Sequence, residues 1–188
     1  MKPSFPSPQD DCFAILGVGI DATVADVIAA ARKLTRLYHP DRFASADSDT
    51  QAQAELAAML VNDAQKKLGD VFLRANYLLQ HRYNVQLYDI RHLQPAGDLF
   101  QRILETQEFL MDLDSNEPLP REEQQMIAKQ LSEYQSDFQG CADRLWNAFT
   151  LRANTSLPLT PDYTDIAEPL MLHGYLVRVM RGLEKVLV

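Results

Sequence analysis

Cysteine is scarce in this chain. Cys12 and Cys141 are the two present, far apart and in no C-x-x-C pair, so the spacing indicates neither a zinc site nor a disulfide scaffold, and both read as reduced thiols. Glycine is sparse as well: the seven glycines are scattered and build no glycine-rich phosphate loop. No apolar run approaches the length that spans a bilayer, and the opening MKPSFPSPQDD carries prolines and acids where a signal peptide carries its apolar core. The expectation is a cytoplasmic protein with no membrane partner. Basic side chains are outnumbered, 18 Lys and Arg against 26 Asp and Glu, and the resulting net charge of −8 argues against a general nucleic-acid binder, which needs concentrated cations to displace counterions from phosphates. Most of that excess falls between 98 and 123, with eight acids against two bases. Such a stretch is either a solvated face or a docking surface for a basic partner.

Against these absences stands 46% hydrophobic content whose apolar residues recur at three and four rather than at two, which predicts an all-α fold. Phe13 and Leu16 before Gly17 predict a short first helix, and Thr23 with Asp26 has the spacing of a capping box at the start of a second. In the second helix Val24, Val27, Ile28, Ala31 and Tyr38 share one face, while Arg32, Lys33 and Arg36 share the other. A third helix is expected over about 50–68 with Leu56, Leu60, Ala64 and Leu68 inward, after a polar loop from Asp41 to Asp49, and a shorter one over about 71–80. The irregular stretch 81–97 reads as a linker. Beyond it three helices, about 97–114, 121–153 and 161–187, are broken by SNEPLP and SLPLTP. The middle one carries a seam of Ile127, Leu131, Tyr134, Phe138, Cys141, Leu145 and Phe149. Short connections and sustained seams predict an antiparallel three-helix bundle over 98–188, following a helical module over 1–80.

The phrase YHPDRF is the most informative. Pro40 pushes the preceding residue out of the helical region, so the second helix ends near Tyr38 or His39 and presents His39 and Asp41 at the tip of a two-helix hairpin. A catalytic His–Asp pair is discounted, because no nucleophile stands in an evident elbow beside them. His39, His81, His92 and His173 are too dispersed for a metal site, and no cofactor is expected.

The order of a short helix ending in LG, a helix with a basic face, YHPDRF, a third helix and NDAQKKLGDVFLRANYLL resembles a J-domain, the module that stimulates ATP hydrolysis by DnaK-type chaperones. QEFLMDL and HGYLVRVMRGLEKVL resemble the helical bundle of HscB-type iron–sulfur co-chaperones; the N-terminal zinc-binding cysteines of some relatives are absent. The resemblance implies a co-chaperone that is not itself an enzyme. Its His39, Pro40 and Asp41, with Arg32, Lys33, Arg36 and Arg42, would dock on a DnaK/HscA-type ATPase, Asp41 offering acceptors to an arginine. The resemblance further implies that an IscU-type iron–sulfur cluster scaffold is the client. It would dock on the bundle at Leu110, Met111, Leu113 and Asp112 with Tyr175, in an acidic setting that includes Glu105, Glu108 and Asp114. Two alternatives remain: a J-domain protein with another client, and a helical adaptor without chaperone activity.

Overall fold

The computed structural model describes residues 5–90, 95, 97–113, 119–154 and 162–187. It contains α1 (Cys12–Leu16), α2 (Val24–Leu37), α3 (Ser48–Leu68), α4 (Val71–Tyr83), α5 (Asp98–Asp112), α6 (Arg121–Asn154) and α7 (Thr164–Leu187), with a 3-10 turn over Pro40–Phe43 and no strand among the described residues. The fold is all-α, as expected. The chain divides into two compact units, Met1–Tyr77 with Phe149–Leu159, and Leu78–Ala148 with Thr160–Val188.

In the first unit the local signals act as their chemistry requires. Asp11 caps α1 by accepting from the Phe13 amide, and Gly17 closes it in the left-handed region at φ 66°, which a side chain would disfavour. Thr23 and Asp26 form the reciprocal capping box of α2; the Asp26 carboxylate accepts from both the Thr23 hydroxyl and its amide, which holds its pKa below the usual carboxylate value. The core is formed by Phe13, Leu16, Val27 and Ala31 against Ala54, Ala57, Val61, Ala64 and Leu68. Three alanines on the buried face of α3 let the neighbouring helices approach closely.

Two local expectations need correction. The loop after α2 is shorter than the stretch 41–49, because Pro40 starts a 3-10 turn and Asp47 caps α3 by accepting from the Thr50 amide, so that α3 begins at Ser48. Leu56 is exposed, Leu60 is half-buried, and Val24 lies at the exposed rim of α2. Ala64 and Leu68 do turn inward as expected, and the rest of the inward face is formed by Ala54, Ala57 and Val61 rather than by Leu56 and Leu60.

In the second unit two sets of contacts define the helix directions. Arg102 pairs with Asp137 at 3.0 Å and Thr106 meets Tyr134 at 2.7 Å, so α5 and α6 run antiparallel. Phe138 packs on His173 at 5.0 Å and Arg144 pairs with Glu168 at 3.0 Å, so α6 and α7 do as well. The result is an up-down-up three-helix bundle. The predicted α6 seam faces inward, with Ile127, Tyr134, Cys141 and Leu145 buried and Leu131 and Phe138 half-buried; its last member, Phe149, is also buried but clusters with the first unit. Buried Thr106 and Tyr134 are satisfied within a network: Gln130 donates to Thr106 at 2.7 Å, and the Tyr134 hydroxyl donates to the Arg102 carbonyl at 2.9 Å. SLPLTP, most of SNEPLP, His92 and Asp114 lie outside the described residues.

Candidate functional site

The tripeptide occupies the 3-10 turn immediately after α2. Tyr38 is the C-cap residue, donating its amide to the Leu34 carbonyl, and Pro40 fixes the departure. The Arg42 amide donates to the His39 carbonyl at 3.0 Å, and the Asp41 amide donates to His39 Nδ1 at 3.3 Å. That second bond requires an unprotonated Nδ1, so the approach of Asp41 Oδ2 to the same nitrogen at 3.5 Å has no proton to share. The Asp41 carboxylate is 88% exposed and the His39 ring 53% exposed. The turn therefore displays a carboxylate with unused acceptor capacity beside an imidazole.

On α2, leading into the turn, stand Arg32, Lys33 and Arg36, and within the turn stands Arg42, all exposed. Arg32, Lys33 and Arg36 have no acidic partner among the described residues, while the Arg42 guanidinium reaches back to the Arg36 carbonyl at 3.5 Å. An exposed carboxylate at the end of a helix that displays cations without acidic partners is suited to a partner that offers an arginine within an acidic surface.

Two tertiary arrangements of the first unit were not foreseen from the sequence, one at this turn and one at the opposite end of the α2–α3 hairpin. Phe5 stands 5.6 Å from the Tyr38 ring and 5.7 Å from Phe43, between the two residues that bracket the turn. Arg74 is fully buried: Nε and Nη2 donate to the Leu68 carbonyl at 3.0 and 2.6 Å, and Nη1 to the carbonyls of Ile20 and Ala22 at 3.2 and 2.6 Å. It joins the end of α3 to the approach of α2. Burial pushes its pKa down to about 10, which still leaves it charged at neutral pH. On the same wall the Tyr77 hydroxyl accepts from the Cys12 amide at 2.9 Å and donates to Asp11 at 2.7 Å. Its burial drives the phenol pKa far up. An arginine within an otherwise apolar helical phrase was the one available signal.

The residues named for the client do not form one cluster. Successive residues of a helix point about 100° apart, and Phe109, Leu110 and Met111 separate accordingly. Phe109 borders a groove of about 440 Å³ between α5 and α6 with Met126 and Ile127. Leu110 is half-buried against Gly182 of α7, and Met111 is 84% exposed. Asp112 is exposed and Leu113 half-buried at the end of α5. Tyr175 is half-buried, edge-on to Phe100 at 5.1 Å and beneath the Arg178 guanidinium at 4.7 Å. Gly182, where Leu110 meets α7, is seven residues beyond Tyr175, about 10 Å along the helix. Glu105 and Glu108 are exposed on α5.

No family model matches the chain. It is 35% identical over 81 residues to a "Co-chaperone protein HscB homolog" of Neisseria gonorrhoeae, covering 43% of this chain and 48% of that protein. It is 37% identical over 67 residues to a "Chaperone protein DnaJ" of Mycoplasma genitalium, covering 36% of this chain and 17% of that one. The matched lengths thus span about half, and about a sixth, of these relatives. Human co-chaperone protein HscB superposes with a TM-score of 0.66 at 21% identity, over 97% of this chain and 84% of the human one, a likeness of fold. The short first helix, the α2–α3 hairpin with His39-Pro40-Asp41 at its turn, and the similarity to DnaJ define a J-domain protein. The HscB homologue in sequence and human HscB in fold support, more particularly, an HscB-type J-domain co-chaperone.

Proposed function

We propose that this protein docks on a DnaK/HscA-type chaperone, stimulates its ATPase and delivers an IscU-type iron–sulfur cluster scaffold to it. The observation that carries the reading is the exposed Asp41 carboxylate on a proline-fixed turn at the end of the helix that displays Arg32, Lys33 and Arg36. The J-domain would span 1–80, the linker 81–97 and the client-binding bundle 98–188. Binding and geometry carry the function, with hydrolysis performed by the partner. No helix among the described residues is long and apolar enough to cross a membrane, and a cytoplasmic setting suits a partner of this kind.

The test is single-turnover ATP hydrolysis by a DnaK-type and an HscA-type chaperone, with and without this protein. His39→Gln and Asp41→Asn should each abolish the stimulation. Both side chains are exposed, so stability should change by no more than about 0.5 kcal/mol. A variant that stimulates like wild type would remove the tripeptide from the docking surface.

The client site is assigned to Leu110, Met111, Leu113, Asp112 and Tyr175, with Glu105 and Glu108 beside them. Since these residues do not form one cluster, the client would span two contact points on the bundle, Leu110 to Leu113 at the end of α5 and Tyr175 on α7, each with apolar and polar groups of the kind that make binding hot spots. Because Leu110 also packs on Gly182, the cleaner probe is Met111→Ser with Tyr175→Ala, titrated calorimetrically with the scaffold. Undiminished affinity in a folded variant would place the client on another face or identify it as another protein.

A further inference from the structure

We infer that Phe5, in the segment before α1, is a positioning residue for the docking turn: its ring wedges between Tyr38 and Phe43 and keeps His39-Pro40-Asp41 in the geometry that a chaperone binds. The inference rests on the co-chaperone reading given above.

The 3-10 turn packs on α3, and Gln51 donates to the Ala44 and Ala46 carbonyls just after it, but the exposed tip itself has few holds. His39, Pro40, Asp41 and Arg42 are all exposed, so none contributes a buried side chain. The bonds across it are local: Arg42 amide to His39 carbonyl, Asp41 amide to His39 Nδ1, and the long Arg42 to Arg36 carbonyl contact. Local bonds between exposed groups compete with water and stabilise one conformer only modestly. The two residues that flank the turn are different. Tyr38 is buried at the end of α2 and Phe43 is half-buried at the end of the 3-10 turn. Phe5 contacts both rings with centroid separations of 5.6 and 5.7 Å and interplanar angles of 42° and 58°, within the range of favourable tilted aromatic pairs. One side chain from a distant part of the sequence thereby joins both stems of the turn and restricts their separation.

The segment that carries Phe5 is itself tethered. Pro6 and Pro8 restrict its backbone, the Ser7 amide donates to the Asp10 carboxylate at 2.7 Å, and the Asp10 amide returns a bond to the Ser7 carbonyl at 3.0 Å. The chain then enters α1 through Asp11, whose carboxylate accepts from Tyr77. The path from Tyr77 through Asp11 to Phe5 therefore gives the wedge a fixed origin in the core.

A wedge that acts by selecting a conformer has a distinct signature. If it raises the fraction of molecules with a competent turn, its removal raises the apparent dissociation constant by the inverse of that fraction and leaves the saturated complex unchanged. For Phe5→Ala in the full chain, the concentration giving half-maximal ATPase stimulation should rise about tenfold, with the plateau retained, from the loss of two aromatic pairs. Amide exchange at 41–43 should accelerate, while exchange within α3 and the thermal midpoint stay close to wild type. Phe5→Tyr should restore both readouts, and Phe5→Leu should restore them in part. An unchanged half-maximal concentration for Phe5→Ala overturns the inference, and so does faster exchange with unaltered stimulation, which would make Phe5 a packing residue only. If wild type gives no stimulation, the co-chaperone reading fails, and unchanged exchange at 41–43 in Phe5→Ala would separately overturn the wedge.

Discussion

Leu110 of α5 lies against the bare backbone of Gly182 in α7: a Cβ at that glycine would stand 2.6 Å from Leu110 Cδ1. The relationship explains how a leucine in the candidate client phrase is withdrawn toward the bundle while its neighbour Met111 remains in solvent. Small residues at a helix crossing shorten the distance between axes, and here a single glycine makes the space that one leucine uses.

A double-mutant cycle tests that pairing. Gly182→Ala alone should be neutral or destabilising, because the clash offsets the gain in helix propensity. In a Leu110→Ala background the same substitution should stabilise by about 0.5–1 kcal/mol, the ordinary advantage of alanine over glycine in a helix. Equal effects in both backgrounds, measured by urea unfolding, would show that the two residues are not coupled.

The basic face of α2 should be electrostatic in its action. Arg32→Glu with Arg36→Glu is expected to weaken docking on the chaperone and to flatten its salt dependence, since exposed charges are screened over about 8 Å at physiological ionic strength. Affinities measured across a salt series would settle the matter. A wild-type affinity indifferent to salt would move the docking surface away from these residues.

Arg74 should be the most sensitive polar residue of the first unit. Arg74→Met keeps much of the volume but leaves the carbonyls of Leu68, Ile20 and Ala22 without their donor. The expected loss is about 3 kcal/mol in denaturant unfolding, the usual consequence of leaving several buried polar groups unpaired. A loss below about 0.5 kcal/mol would mean that water replaces the guanidinium at little cost.

The buried thiols carry an alkaline dependence. Burial raises the pKa of Cys12 and pushes that of Cys141 from 9.0 up to about 11. A raised folded-state value means that the native protein holds these protons more tightly. The contribution of Cys141 to stability is complete below about pH 9 and is lost as pH rises toward about 11. Cys141→Ala should therefore flatten the fall in stability over that interval. Both native thiols should react slowly with a thiol reagent at pH 8 and rapidly once the chain is unfolded. Fast native reaction at either would contradict its burial.

The sequence by itself determined what depends on neighbours three or four residues away. The capping box of Thr23 and Asp26, the glycine stop after Leu16, the proline exit at Pro40 and the inward face of α6 were all legible, because each is local chemistry or helical period. The exposure of His39 and Asp41 followed from the same proline. Tertiary structure alone decided which of several apolar faces turns inward. On α3 the larger Leu56 stays outside while Ala54, Ala57 and Ala64 are buried, since close packing by neighbouring helices selects by size and shape as well as by hydrophobicity. It likewise brought Phe5 to Tyr38 and Phe43, gave Arg74 its distant carbonyls, and placed Tyr175 beside Phe100 rather than at the Leu110 contact. These pairings join residues tens of positions apart, and no periodicity within one helix encodes the partner that a second helix will present.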